Sequence, residues 1–335
     1  MEDSPVIIYR MLGGCIASFA LKTALDLDIF TILAKGVNEI DKIAMEIEAD
    51  KRATGILLDA LQVFDLIRKE GEKYYLTPIS NTYLVKGKDT YFGYFRFTFF
   101  SMLQGIWHLK EVLKSGRAVE TLHLEDTTSN VWEGQALGLS GFTAPSARYL
   151  AKILEEKGIK GVKILDFGGG SGIFGATLIQ AQPENEAVQL DLPQVNCVAK
   201  EFLKSRGIDL RRMNFWDGDC LTYPLPKEAF DIVILSNICH FEDKMGNINL
   251  FKRMWQTLKS GGYLVINDFF LNEDGLGPRF SLIFRVYILA NTPSGGVYRF
   301  SDYEYWLKEA GYKEISFYYP IPDAYEGVGM ILARR

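Results

Sequence analysis

The sequence has little of what metal centres and disulfide frameworks are made of. Its 335 residues include three histidines and four cysteines. Cys15, Cys197, Cys220 and Cys239 are scattered, with no C-x-x-C pair and no metal-ligand spacing, so no structural zinc and no bound metal are expected. No disulfide framework is expected either, and a reducing cytoplasm is the default compartment. Positive charge is also short. The 37 lysines and arginines face 42 acids, for a net charge of −5 and a pI near 5.5. That balance argues against a phosphate backbone as the main partner. Long apolar runs are missing: Met11 to Leu21, bounded by Arg10 and Lys22, is too short to span a membrane. The acidic start does not read as a signal peptide, and no repeat or low-complexity segment is visible. With 48% hydrophobic and 24% charged residues, the chain has the composition of a soluble globular protein.

What is present is organised around Val162 to Asp191, "VKILDFGGGSGIFGATLIQAQPENEAVQLD". A short apolar run reads as a buried strand and passes through Asp166 into Gly168, Gly169, Gly170 and Gly172. An apolar-periodic segment from Ile173 to Ala181 reads as a helix, and Val188 to Leu190 as a second strand ending in Asp191. Glycine suits a strand that turns sharply into a helix while leaving its backbone bare for a ligand. The helix N-terminus adds free N–H groups. Strand, glycine turn, helix, strand and acid is the outline of a nucleoside-binding βαβ unit. Gly170, Gly172 and Gly175 satisfy G-x-G-x-x-G, so the glycines alone do not exclude NAD. The fuller pattern D-x-G-G-G-x-G closely resembles motif I of the S-adenosylmethionine (SAM) methyltransferases.

Before this unit, Val6 to Leu33 has helical spacing. Asn38 is expected to cap a helix through Ile47, and Asp50 another whose face is Ile56, Leu57, Ala60, Leu61 and Phe64. "IRKEGEKYYLTP" reads as two short strands. Three helices and a hairpin suggest a winged helix, here a packing and dimerisation scaffold more readily than a DNA reader. The aromatic run Thr90 to Phe100 suits either core packing or pocket lining. His108 and His123 lack nearby chemistry and read as structural. A helix over Ser140 to Leu154 leads into the second part, so domains of 1–145 and 146–335 are expected, packed rather than flexibly tethered.

After Asp191 the α/β alternation continues. Strands are expected around Arg212 to Phe215 and Ile232 to Leu235. A helix from Leu250 should stop at Gly261–Gly262, followed by the strand "YLVIND". A helix over Phe280 to Leu289 precedes another that Ser301 and Glu304 should open as a capping box. The chain closes with an antiparallel hairpin, Glu314 to Tyr319 and Val328 to Ala333. Five parallel strands with such a hairpin suit a methyltransferase sheet better than a dinucleotide fold.

Ligands in open α/β sheets sit at the carboxyl ends of the strands. There the chain has Asp166 to Gly168, Asp191, Asp219, Ser236 to His240, and Asp268. Asp191 can accept from ribose hydroxyls and Asp219 from an adenine amino group, with Cys220 beside the base. Acids at strand ends also cap helices, but three in succession favour a common ligand. His240, in "SNICHFED", is the candidate general base, because a neutral imidazole can take a proton from a phenol. Asp268 could bond its other nitrogen.

As a whole the chain resembles the plant-type (caffeic acid O-methyltransferase-like), SAM-dependent, metal-independent small-molecule O-methyltransferases and their bacterial relatives. "DFGGGSG", "LDLPQV", "GDC", "ICH" and "LKSGGYLVIND" carry the likeness across nearly the whole chain. The resemblance implies an α/β fold: a Rossmann-like class I SAM methyltransferase sheet preceded by a helical, winged-helix dimerisation domain. It implies a homodimer whose N-terminal part closes over the partner's active site, with His240 and Asp268 catalytic. SAM is implied to touch Asp166, Gly168, Gly170, Asp191, Leu192, Asp219, Cys220, Ser236 and Ser146, and an aromatic acceptor Phe142 and Tyr298. Nucleic acid and membrane are not expected partners. Three positions depart from the plant pattern. Phe241 and Glu242 follow the histidine in place of Asp-Trp, Ser236 replaces a lysine, and Val297–Tyr298 stands where an acid is usual. O-methylation of a small aromatic or polycyclic metabolite is therefore expected. C-methylation of a pigment- or quinone-like substrate and a SAM-binding regulator remain open.

Overall fold

The computed structural model describes residues 5–88, 90–119 and 131–335. His123 lies outside them, as do the side chains of Phe99 and Phe100. Two compact units divide the chain, Met1–Arg96 and Phe97–Arg335.

The first unit holds α1 (Val6–Asp26), α2 (Ile29–Ala34), α3 (Ile40–Glu46), α4 (Lys51–Gln62), the antiparallel pair β1 (Ile67–Glu70) and β2 (Lys73–Leu76), and α5 (Pro78–Tyr83). Its core gathers Ala24, Ile29, Phe30, Ile43, Leu58, Leu61, Ile67 and Tyr74. Asp50 caps α4 as expected, accepting from the Ala53 N–H at 2.8 Å. Asn38 does not cap α3. Glu39 occupies that position without a side-chain bond, and the Asn38 carbonyl accepts from Tyr74 N at 2.9 Å, tying the helix entry to the hairpin. The reading of the N-terminal apolar stretch also needs correction. Arg10 and Lys22 do not interrupt α1, whose 21 residues are long and apolar enough, by length and composition, to cross a membrane. Val6, Ile7, Ile8, Met11, Leu12 and Ile16 on it are exposed.

The second unit continues through α6 (Phe95–Gln104), α7 (Leu109–Ser115) and α8 (Val131–Glu156). The alternating part follows: β3 (Lys163–Phe167), α9 (Ile173–Ala181), β4 (Glu186–Asp191), α10 (Pro193–Ser205), β5 (Met213–Asp217), β6 (Phe230–Ser236), α11 (Lys244–Thr257) and β7 (Leu258–Leu271). The last elements are α12 (Arg279–Asn291), β8 (Tyr298–Arg299), α13 (Phe300–Glu309), β9 (Lys313–Tyr318) and β10 (Val328–Arg334). The sheet order is β5-β4-β3-β6-β7-β10-β9, with β8 beside β7. The first five strands of that order are parallel, and β10 is antiparallel to both β7 and β9. Ile232 to Leu235 on β6 are all buried, as a central strand covered on both faces requires. The chain moves outward one way from β3 to β5 and the other way from β6, so the strand ends part between β3 and β6. A crevice opens there.

Two local expectations fail for identifiable reasons. Gly261–Gly262 does not end a helix: α11 stops at Thr257 and the pair lies inside β7. Phe230 pairs with Leu258 but Ile232 with Tyr263, so the surplus residues bulge out at the glycines, where Gly261 has φ +79°. Likewise α13 is opened not by Ser301 and Glu304 but two residues earlier, by Asp302 accepting from Arg299 N at 3.0 Å. Ser301 Oγ instead donates to Glu273 at 2.6 Å.

Candidate active site

The crevice is built first from the turn after β3. Gly168, Gly170 and Gly172 have φ of +64°, +56° and +74°, conformations that side chains resist. A Cβ on Gly168 would lie 2.8 Å from Ile238 Cδ1, so a side chain there would fill the space between the ends of β3 and β6. Asp166 is placed beneath this turn rather than on its surface. It is buried, and Oδ2 accepts from Gly175 N at 3.0 Å while Oδ1 has no partner among the described residues. Burial pushes its carboxyl up to about 7; the Gly175 N–H opposes that and the charge on Asp191 adds to it.

Asp191 ends β4. Its Oδ2 accepts from Gly170 N and its Oδ1 from Leu192 N, both at 2.8 Å. Burial raises this carboxyl to about 6, against the pull of the two N–H groups. Each oxygen keeps a second lone pair, so the group can accept from ribose hydroxyls without releasing either backbone bond. Asp219 follows β5, accepting from Leu221 N at 2.8 Å and Thr222 Oγ1 at 3.3 Å. Cys220 Sγ lies 3.5 Å from the Leu190 carbonyl, and burial drives its thiol upward. A thiol raised in this way stays protonated and is a poor nucleophile.

Ser236, at the end of β6, accepts from Asn237 Nδ2 at 3.2 Å and Asn267 Nδ2 at 3.1 Å. Ser146, on α8, is fully buried with a hydroxyl that has no partner among the described residues. Sequence reasoning missed Asn196 and Gln189. Asn196 Nδ2 donates to the Asp191 and Trp216 carbonyls and to Asp217 Oδ1, and Gln189 Nε2 to the Gly170 carbonyl. They bind the ends of β4 and β5 to the glycine turn. Only their polarity inside apolar segments hinted at this.

The other side of the crevice holds His240 and Asp268, brought together from the ends of β6 and β7. His240 Nδ1 stands 2.6 Å from Asp268 Oδ1, and the His240 backbone N–H donates to Oδ2 at 3.2 Å. Asp268 is fully buried and His240 is 4% exposed. A carboxylate accepting from a protonated Nδ1 leaves Nε2 with a free lone pair. Gly296 N donates to the His240 carbonyl at 3.0 Å, which fixes the loop that carries the ring.

Aromatic rings surround the imidazole. Phe241 and Phe284 lie 4.4 Å and 5.1 Å from it between centroids. From Phe284 the chain of rings runs on through Phe280 to Tyr325 and Phe142. Trp132 meets Phe241 edge-on at 6.4 Å. Tyr287 is buried with its hydroxyl bonded to Gln135; burial pushes it up to about 12. Phe97 is exposed at 41%. The Tyr298 hydroxyl donates to the Glu242 carbonyl at 2.7 Å, so it braces the segment after His240 instead of standing free.

The arrangement therefore joins an acid-lined, glycine-floored cleft to a carboxylate-bonded imidazole in an aromatic enclosure. Comparisons with known proteins give the family and the fold. Residues 135–313 match the O-methyltransferase domain family, and residues 9–86 match the O-methyltransferase dimerisation domain. The chain is 27% identical over 320 residues to 3-hydroxy-5-methyl-1-naphthoate 3-O-methyltransferase of Streptomyces sahachiroi, covering 93% of this chain and 90% of that one. A solved structure of a candidate O-methyltransferase from Nostoc punctiforme superposes with a TM-score of 0.87 at 26% identity, over the full length of both chains. Human N-acetylserotonin methyltransferase, solved with SAM, shares the fold with a TM-score of 0.86 at 22% identity, over 100% of this chain and 98% of that one.

The raised Asp191 carboxyl generates a pH dependence. If its ionised form is the one that holds ribose, S-adenosylhomocysteine should bind about tenfold more weakly at pH 5 than at pH 7.5. Asp191→Asn should bind weakly at both and lose this slope. Calorimetric titration across that range checks it, and a wild-type affinity that does not change with pH contradicts the role.

Proposed function

The chain belongs to the O-methyltransferase family, and on that premise we propose that it methylates a hydroxyl of a small aromatic or polycyclic metabolite with His240 as general base. The observation that carries this reading is the buried His240–Asp268 pair, 2.6 Å apart at the mouth of an aromatic enclosure. Bound SAM supplies an electrophilic methyl group on a positively charged sulfur. A phenol, with a pKa near 10, is mostly un-ionised at neutral pH, so the acceptor needs help to lose its proton. His240 Nε2 takes that proton as the oxygen becomes the nucleophile. Asp268 holds the ring in the required tautomer and stabilises the imidazolium that results.

The remaining residues position the two partners. Asp191 and Leu192 receive the ribose, Asp219 and Cys220 the adenine, and Gly168 and Gly170 leave room for the rest of the cofactor. Asp166 supports the turn from below. Ser146 offers its buried hydroxyl to the cofactor, and Ser236 borders the same ligand. Phe142 and Phe284 flank a flat acceptor, and Tyr298 acts by fixing the His240 loop. An aromatic acceptor is also named for the Streptomyces relative. His240→Ala should leave the affinity for S-adenosylhomocysteine nearly unchanged and cut kcat for a phenolic acceptor by about 10²–10⁴-fold. Steady-state kinetics on a screened panel of phenols checks this; full turnover by the variant removes His240 as base.

We also propose that the working enzyme is a homodimer in which the exposed apolar residues of α1 are covered by a second copy, and that no membrane or nucleic acid takes part. The match of residues 9–86 to a dimerisation domain supports this use of α1 over membrane insertion. Light scattering on the purified protein should give twice the chain mass of 37.9 kDa. A monomer at micromolar concentration contradicts it.

A further inference from the structure

Arg253 lies on α11, away from the strand ends that carry the cofactor contacts, and no step above uses it. Its guanidinium nevertheless reaches the loop after β5. Nη1 donates to the carbonyls of Cys220 and Leu221, the latter at 3.2 Å, and Nη2 donates to that of Tyr223. The same group sits 5.5 Å from the centroid of Phe167, the last residue of β3 before the glycine turn. Three carbonyls within four residues suit a planar fork of five donors, which a lysine ammonium does not reproduce.

The geometry is directional. The Cys220 carbonyl that Arg253 holds and the Leu221 N–H that orients the Asp219 carboxylate belong to one peptide unit. A peptide unit is planar and stiff, so fixing its oxygen fixes the direction of its N–H. The rest of the loop offers less restraint: from the end of β5 at Asp217 to the start of β6 at Phe230 it forms no helix or strand. Tyr223 N returns to the Asp219 carbonyl at 2.8 Å, and the Tyr223 ring stacks on Trp216. Neither contact touches the Asp219 carboxylate, whose other partner besides Leu221 N is the Thr222 hydroxyl at the longer distance of 3.3 Å.

We propose that Arg253 is a positioning residue for cofactor recognition, fixing the Cys220–Leu221 peptide plane so that Asp219 is aimed at the adenine amino group. This rests on the reading that places adenine at Asp219. The test compares S-adenosylhomocysteine with S-inosylhomocysteine, in which a carbonyl oxygen replaces that amino group, by calorimetry on the full chain. The wild-type protein should prefer the adenosyl ligand by about tenfold to a hundredfold, the range of a hydrogen bond to a charged acceptor. In Arg253→Ala and in Arg253→Lys the preference should collapse toward one. The lysine variant keeps the stem and the charge, and carries the test if the alanine variant does not fold.

A role confined to stability would lower the melting temperature and leave the ratio intact. Folded variants that keep the wild-type ratio therefore overturn the proposal while leaving adenine at Asp219. A wild-type protein that binds both ligands equally overturns the placement of adenine, and the proposal with it.

Discussion

The hydrogen bond from Gly170 N to Asp191 is the contact on which the cofactor side depends. It joins the turn after β3 to the end of β4. Around it Asp191 also holds Leu192, Gln189 holds the Gly170 carbonyl, and Asn196 ties in the end of β5. Three strand ends are thus locked before any ligand arrives. Such preorganisation reduces what binding must order.

The arrangement stores an electrostatic cost. Asp166 and Asp191 are both held above the ordinary carboxylate range by burial, and they repel one another. Their folded-state values exceed those of an unfolded chain, so their contribution to stability is greatest in acid and is lost as pH rises through about 6 and 7. A fold selected for stability alone would place apolar residues there. Keeping two acids under a glycine turn is intelligible if one of them meets a ligand and the other shapes the turn. On the acceptor side the order is different. Asp268 is fully buried but shared between an imidazole and two backbone N–H groups, which satisfy it locally.

Much of this was legible in the residues. The glycine turn, the acids at Asp191 and Asp219, and the nearness of His240 to Asp268 follow from apolar strands whose carboxyl ends open into polar loops. The terminal hairpin was legible too, because β9 and β10 are too close for a crossover helix. Other features depend on tertiary partners and left no local mark. Asp166 reads like a ligand contact from its place before the glycines, yet the strand's pleat turns it under the turn. Gly261–Gly262 looks like a helix stop, but β6 recruits the segment into a bulged strand. Tyr298 looks free until the fold brings the Glu242 carbonyl to it, and Arg253 sits in an ordinary amphipathic helix with no motif to single it out.

The central claim is that the acids at successive strand ends and the glycine turn form one site for a sulfonium nucleoside. Calorimetric titration of the purified full chain with S-adenosylhomocysteine, with NADH as the control, tests it most directly. Saturable one-site binding of the first and none of the second is the expected result. Binding of NADH in its place, or of neither ligand, would contradict the account of the cleft.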